Sequence, residues 1–203
     1  MAQDYSFEFV RLDLRKKVEY RPLDREASAR VALNKLPAQW TKTMCEALGL
    51  PACVLTTQLE GESRHAGTFL ACVAKEVALS RRPIAPPCIL IAGGETTTRV
   101  DGQGGYGGPS QELALGFALE VADRAGLAIC AIDTDGTDGP TDLAGGIADG
   151  HTVWRARAAG LDVYRCLGEH DSGSLLVALG DAVVTGNTGT NLCDLNLIYV
   201  SGE

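Results

Sequence analysis

Cys88-Ile-Leu-Ile-Ala-Gly-Gly94, the polar run Glu95-Thr-Thr-Thr-Arg-Val100, the loop Gly102-Gln-Gly-Gly-Tyr-Gly-Gly-Pro-Ser-Gln-Glu112 and the stretch that continues to Arg124 together decide the fold. Cys88 to Ala92 is apolar without alternation, the pattern of a short strand covered on both faces. From Ser110 to Arg124, Leu113, Phe117, Leu119 and Val121 mark the apolar face of a helix, and Gly126 is a fitting stop. Leu127-Ala-Ile-Cys-Ala-Ile is a second buried strand. A strand, a glycine loop, a helix and another strand in this order predict a layered α/β domain with a mixed β-sheet flanked by helices. The β-prone Thr96-Thr-Thr-Arg-Val is expected to pair as a hairpin partner.

Working outward, Thr41 to Leu48 reads as a helix closed by Gly49, and Ala52-Cys-Val-Leu-Thr-Thr as a strand. Gly61 to Ser80 has helical spacing of apolar residues, and the basic Arg81-Arg82 suits the negative end of its dipole. On the other side, His151 to Ala159 reads as a helix, Leu175 to Leu179 as a short helix or strand, and Ala182 to Thr185 and Leu195 to Val200 as strands. Residues 1–40 differ from the rest. Phe7, Phe9, Leu12 and Leu14 alternate like a strand, a charged stretch follows, and Ala29-Arg-Val-Ala-Leu reads as a second strand stopped by Pro37. The division is an arm or hairpin-like appendage over 1–40 and the α/β domain over 41–203.

The net charge of −8 argues against non-specific binding to nucleic acid or anionic membrane. No apolar run approaches the roughly 18 residues of a spanning helix, and the acidic N-terminus is unlike a signal peptide. Seven cysteines without a CxxC pair fit reduced thiols and a cytoplasmic protein.

Four polar loops adjoin these strands, the usual place for ligands in α/β sheets. Gly93-Gly-Glu-Thr-Thr97 offers a carboxylate, or is a tight turn. Gly102 to Glu112 precedes a helix whose free N–H groups would make an anion site, with Ser110 as N-cap and Pro109 at its start; the alternative is a flexible hinge. It contains a formal Gly102-x-Gly104-x-x-Gly107 match but no clean first strand before it, so a dinucleotide site is not supported. Asp133-Thr-Asp-Gly-Thr-Asp-Gly-Pro-Thr-Asp142 crowds four carboxylates, which Mg²⁺ or loop N–H groups would relieve; solvated Asx turns are the other reading. Thr185-Gly-Asn-Thr-Gly-Thr-Asn191, with Asp194 beyond, is either an oxygen-binding nest or a turn. His170-Asp-Ser-Gly173 is a fifth polar patch; His65, His151 and His170 lack metal-ligand spacing.

Taken together, Ile91-Ala-Gly-Gly-Glu-Thr-Thr97, Gly107-Gly-Pro-Ser-Gln-Glu-Leu-Ala-Leu115, Asp133 to Gly145 and Thr185 to Asp194 resemble, in order, the C-terminal MOFRL domain of the glycerate 2-kinase family, some members of which are labelled hydroxypyruvate reductase. The resemblance runs from about Thr41 to the end. It implies a contribution to phosphorylation of D-glycerate or a related small hydroxy acid, with ATP and Mg²⁺, at a cleft shared with a larger N-terminal domain. Carried over by motif, Glu95, Asp135 and Asp138 are the catalytic candidates. Thr96, Gly107, Gly108, Ser110, Gln111, Glu112, Thr188, Thr190 and Asn191 would bind substrate or anion, and Asp138, Asp142 and Asp194 are the metal candidates. Pro109-Ser110 stands where many members have Arg-Asn, which removes a cationic clamp. Residues 1–40 do not resemble the family's N-terminal domain. Two readings stay open: a kinase half completed by a separate N-terminal domain, or a non-catalytic anion-binding domain or subunit, with a homodimer as the other partner expectation.

Overall fold

The computed structural model describes residues 27–202, with side chains from Pro37 onward. The expected strand around Phe7 to Leu14 lies outside the described residues. In chain order the elements are α1 (Ala27–Ala47), β1 (Ala52–Leu59), α2 (Ser63–Ser80), β2 (Cys88–Gly94), α3 (Pro109–Glu120), β3 (Leu127–Asp133), β4 (Gly145–Asp149), α4 (Thr152–Ala158), α5 (Val163–Gly168), α6 (Ser172–Leu179), β5 (Ala182–Val183) and β6 (Asp194–Val200). The strands form one sheet in the order β1-β2-β6-β3-β4-β5. β1 and β2 are parallel, and β6 inserts antiparallel between β2 and β3, which makes the sheet mixed as expected.

The main core lies between one sheet face and α2 and α3. Leu70, Ala74 and Val77 of α2 meet Leu113 and Phe117 of α3, Val121 just beyond it, and the inward side chains of β2, β3 and β6, Leu90, Ile129 and Ile198. The two helices approach backbone to backbone. A Cβ on Gly67 would lie 2.1 Å from the Leu113 carbonyl oxygen, and one on Gly116 would lie 2.3 Å from that of Arg64. α1 covers the opposite face, where Ala38 packs on Ala52 and Ile91.

Two expectations are corrected. Ala29 to Leu33 is helical, and Pro37 lies inside α1 instead of ending a strand. A proline costs a helix one internal hydrogen bond, but Ala38 beside it is fully buried, so packing carries the helix through and across the 40/41 division. Thr96 to Val100 forms no hairpin. Thr97 makes an isolated bridge to Glu62, and its carbonyl accepts from the Ser63 backbone N–H (2.9 Å) and hydroxyl (2.9 Å), so side-chain and helix-end bonds displace the strand ladder. β4 and α5 had no sequence expectation. Gly145-Gly-Ile-Ala-Asp149 pairs with β3 despite two glycines, because a Cβ at Gly145 would lie 2.0 Å from the Ala131 carbonyl oxygen. Asp162 starts α5 by accepting from the N–H groups of Tyr164 (2.9 Å) and Arg165 (3.3 Å).

Candidate functional site

The antiparallel insertion of β6 gathers the polar loops at one pole of the sheet. Asp194, at the start of β6, sits opposite both Gly94 at the end of β2 and Asp133 at the end of β3. The loops after β2, after β3 and before β6 therefore share one end of the molecule.

At its centre is a buried acid. Asp194 Oδ2 accepts hydrogen bonds from the Thr96 backbone N–H (2.9 Å) and hydroxyl (3.2 Å). Burial, with the charges of Asp133 and Asp138 adding to it, pushes the Asp194 carboxyl up to about 7 against the pull of the Thr96 donors. Burial raises Asp133 as well. The pole therefore holds buried carboxylates whose charges raise one another.

The start of α3 departs from the expected open anion site. Gly108, not Ser110, is its N-cap, and Pro109 opens the helix. Asp138 reaches across from the acidic loop and accepts from the N–H groups of Ser110 (3.0 Å) and Gln111 (2.9 Å). Pro109 has no N–H, and the Glu112 N–H already bonds to Gly108 O (2.9 Å). The anion at this helix end is thus the protein's own carboxylate. Gly108 makes the approach feasible, since a Cβ there would lie 2.4 Å from the Asp138 carbonyl oxygen. Burial lifts the Asp138 carboxyl to about 6 although both backbone donors pull it down. Ser110, Gln111 and Glu112 are all buried. Gln111 Nε2 donates to the Thr141 hydroxyl (2.9 Å), and Glu112 Oε1 lies 2.7 Å from His170 Nδ1 with Arg64 3.8 Å from its other oxygen. The Gln111 and Glu112 side chains brace the loops from below.

The fifth polar patch braces the glycine loop. The Gly105 N–H donates to Glu169 O (2.9 Å), the Tyr106 N–H to Asp171 Oδ1 (3.2 Å), and the Gly173 N–H to Tyr106 O (2.8 Å). The Tyr106 hydroxyl donates to Asp142, tying this loop to the acidic one. Gly107 packs against the same patch, within reach of the Ser172 hydroxyl. The loop is pinned at its second half and is no free hinge there.

The accessible polar groups come from the acidic loop, the loop before β6 and Glu95. Asp133 and Asp135 form Asx turns: Asp133 Oδ1 accepts from the Asp135 N–H (3.2 Å), and Asp135 Oδ1 from the Thr137 N–H (2.8 Å). Thr188 donates its hydroxyl to Thr134 O (2.6 Å) and its N–H to Asp135 O (3.0 Å), and Asn191 Nδ2 donates to Asp135 Oδ2 (3.3 Å). Thr190 accepts at its carbonyl from the Thr188 hydroxyl (3.1 Å). Glu95 is exposed beside this pair of loops, with Cys193 Sγ 4.0 Å from its carboxylate. Asp138, Asp142 and Asp194 do not gather into a ligand set. Asp138 caps α3, Asp142 meets Tyr106 and Asp194 holds Thr96, and no group of three or more His, Cys, Asp or Glu side chains among the described residues is placed to hold a metal ion.

Sequence reasoning missed the bond between Asp194 and Thr96, which no local spacing announces across 98 residues. It missed Arg64 and Tyr106 as bracing groups too. The exact alignment of the two apolar strands was the one available signal, because it sets Asp194 against Gly94.

The model of the MOFRL family matches residues 88–194. The glycerate 2-kinase of Pyrococcus horikoshii is 43% identical over 85% of this chain and 39% of its own length. The D-glycerate 2-kinase of Thermotoga maritima is 46% identical over 76% of this chain and 37% of its own. In three dimensions, a crystal structure of a Pyrococcus horikoshii protein superimposes with a TM-score of 0.79 at 42% identity, covering 84% of this chain and 39% of that one. The crystal structure of glycerate kinase from Thermotoga maritima gives 0.78 at 43%, covering 80% and 39%. The chain therefore spans about 39% of the length of these relatives. No described helix is long and apolar enough to cross a membrane.

Proposed function

The chain belongs to the MOFRL family, and from that premise we propose that it supplies one half of a phosphotransferase site acting on D-glycerate or a related small hydroxy acid, in the cytoplasm, completed by the portion that its relatives carry beyond the matched region. The observation that carries this reading is the convergence of the four loops at one pole, in a chain 43% identical to a glycerate 2-kinase.

In this reading Glu95 and Asp135 are the groups that meet the reacting hydroxyl. Both are at least partly accessible, and Asp135 is held in place by Thr137 and Asn191. Phosphoryl transfer rests on positioning and charge neutralisation, and a carboxylate orients a hydroxyl by accepting its proton in a hydrogen bond. Thr188, Thr190 and Asn191 line the approach and contribute hydrogen-bonding groups. Asp138, Ser110, Gln111 and Glu112 act as positioning residues beneath the site.

ATP and Mg²⁺ are the donor and ion that a kinase of this family implies. The described carboxylates do not fit a resident metal site, because those named for it are engaged separately. The non-catalytic alternative has no observation in its favour beyond the partial length.

The test is complementation. The purified chain is assayed with ATP and D-glycerate, alone and with the N-terminal portion of the Thermotoga maritima relative. Turnover is expected only with both. Turnover by the chain alone overturns the half-site, and silence of the mixture, when the relative's own C-terminal portion restores activity, overturns the function.

A further inference from the structure

Two polar arms support the loops of the pole, and both end at one guanidinium. The first arm holds the loop after β2. The Thr97 N–H donates to Gly61 O (2.9 Å), Thr97 O accepts from Ser63, and the Arg99 N–H donates to Glu62 Oε2 (3.2 Å). The loop that carries Glu95 and Thr96 is thus stitched to the start of α2. The second arm holds the glycine loop. Glu112 Oε1 lies 2.7 Å from His170 Nδ1, and a Cβ on Gly107 would lie 2.6 Å from His170 O. The chain turns at His170 with a φ of 54°, and the next residue, Asp171, accepts from the Tyr106 N–H (3.2 Å).

Each arm ends in a carboxylate with one oxygen left over. Glu62 Oε1 and Glu112 Oε2 are both buried, and neither accepts a hydrogen bond. Both face Arg64, whose Nε lies 3.7 Å from the first and whose Nη2 lies 3.8 Å from the second. These are ion pairs without a hydrogen bond. Burial pushes the Glu112 carboxyl up; His170 and Arg64 pull it down, and the Glu62 charge adds to the rise. A carboxylate is a rigid fork, so a cation that fixes one oxygen aims the other. Arg64 is itself held in place. A Cβ on Gly116, one turn after Glu112 in α3, would lie 2.3 Å from its carbonyl oxygen.

We propose that Arg64 is a positioning residue that couples the Glu95 loop to the glycine loop, by aiming Glu62 at the Arg99 N–H and Glu112 at His170. What the coupling does for turnover rests on the phosphotransferase reading; the coupling itself does not. In that reading Arg64 keeps Glu95 in register with the glycine loop and touches no substrate. The two arms depend on it differently. Glu62 needs the guanidinium to be aimed at any pH. Glu112 needs it only when ionised, because a protonated Glu112 leaves no buried charge to balance. The charged groups that face Glu112 are Arg64 and Glu62 from the start of α2 and His170 from the segment before α6. Removal of Arg64 should therefore loosen the first arm throughout and the second increasingly as pH rises.

The experiment is amide hydrogen exchange of the whole chain by NMR, with variant and wild type compared at the same pH. Arg64→Met should lower protection of the Arg99 amide about tenfold at both about pH 6 and about pH 8. It should lower that of the Gly105 and Tyr106 amides about tenfold at the higher pH and less than about threefold at the lower. Adding Glu112→Gln should restore Gly105 and Tyr106 and leave Arg99 as it was, since glutamine carries no charge to balance. The proposal is overturned by an Arg99 amide that does not respond. Glycine-loop amides that do not respond, that lose protection equally at both pH values, or that the second substitution fails to restore also overturn it. In the complemented enzyme Arg64→Met should lower kcat about tenfold with KM changed less than about twofold, and a loss carried by KM alone overturns the link to Glu95. A wild-type mixture without turnover would remove the kinase reading, and the exchange data would still decide the coupling.

Discussion

Asp194→Asn is the sharpest probe of the pole, because its effect changes with pH in a direction the structure fixes. The Asp194 carboxyl is 6% exposed and is pushed up to about 7 from an ordinary 3.8. A folded-state value above the unfolded one means the folded protein holds the proton longer. Stability from this group is complete below the unfolded value and is lost as pH rises through the folded one. Between about pH 5.5 and about pH 8, chosen to stay above the isoelectric point of about 4.9, the loss at this carboxyl is about 2 kcal/mol. Asparagine keeps an oxygen for the Thr96 N–H and carries no charge to bury. The wild type should thus lose about 2 kcal/mol more than Asp194→Asn over that interval. With a urea slope of about 2 kcal/mol per molar, the difference in midpoint between the two proteins should change by about 1 M. Asp138, Asp133 and Glu112 are raised by burial as well and contribute to both proteins, so the difference between them is the quantity to read. Equal losses in wild type and variant would refute the buried-charge account, and a wild type that gains stability toward pH 8 relative to the variant would reverse its sign.

Gly67→Ala gains roughly 1 kcal/mol of helix propensity but places a Cβ 2.1 Å from Leu113 O and 2.8 Å from Phe117 N. Both atoms are backbone, so a net loss of roughly 2–3 kcal/mol in thermal unfolding is expected, and a neutral result would mean α2 and α3 do not approach so closely. Asp162→Ala removes the side-chain cap of α5 and should cost about 1 kcal/mol by denaturant titration. Asn191→Ala frees Asp135 Oδ2 at an exposed position. Stability should move by less than about 0.5 kcal/mol, while activity in the complemented enzyme drops on the order of tenfold, about 1.4 kcal/mol of transition-state positioning; unchanged turnover would remove Asn191 from the site.

The strands and helices that build the core were legible because their patterns are local. Cys88 to Ala92 and Leu127 to Ile132 carry uninterrupted apolar runs, and both are strands in the sheet. The elements that escaped are those whose stability comes from elsewhere. Gly145 to Asp149 has almost no β propensity of its own and is a strand because β3 and β5 lie on either side. Thr96 to Val100 has high β propensity and is a loop because Asp194 and the start of α2 claim Thr96 and Thr97 first. The site shows the same division. The loops were found from glycine and aspartate clusters, but the sequence holds no sign of which carboxylate would end at the start of α3. An open helix end and one filled by Asp138 have the same sequence signature, and only the fold decides between them.

Charge at the pole bears on what a second component must bring. Glu95, Asp133, Asp135, Asp142 and Asp194 are carried by the loops that meet there. The nearby arginines already have carboxylate partners: Arg64 lies between Glu62 and Glu112, and Arg99 pairs with Asp101. The helix end that would have offered N–H groups is filled by Asp138. If the chain takes a hydroxy acid as proposed, this surface would repel the substrate's carboxylate while offering acceptors to its hydroxyl. Under the proposed function, the negative charge of such a substrate would have to be met by basic groups of the complementary portion, and those same groups would draw the two together. D-Glycerate should therefore bind the chain alone weaker than about 1 mM by calorimetry, and association with the N-terminal portion of a relative should weaken steeply as salt screens the contact. Submillimolar binding by the chain alone, or an association indifferent to salt, would show that the cation needed for the carboxylate is already present in this chain.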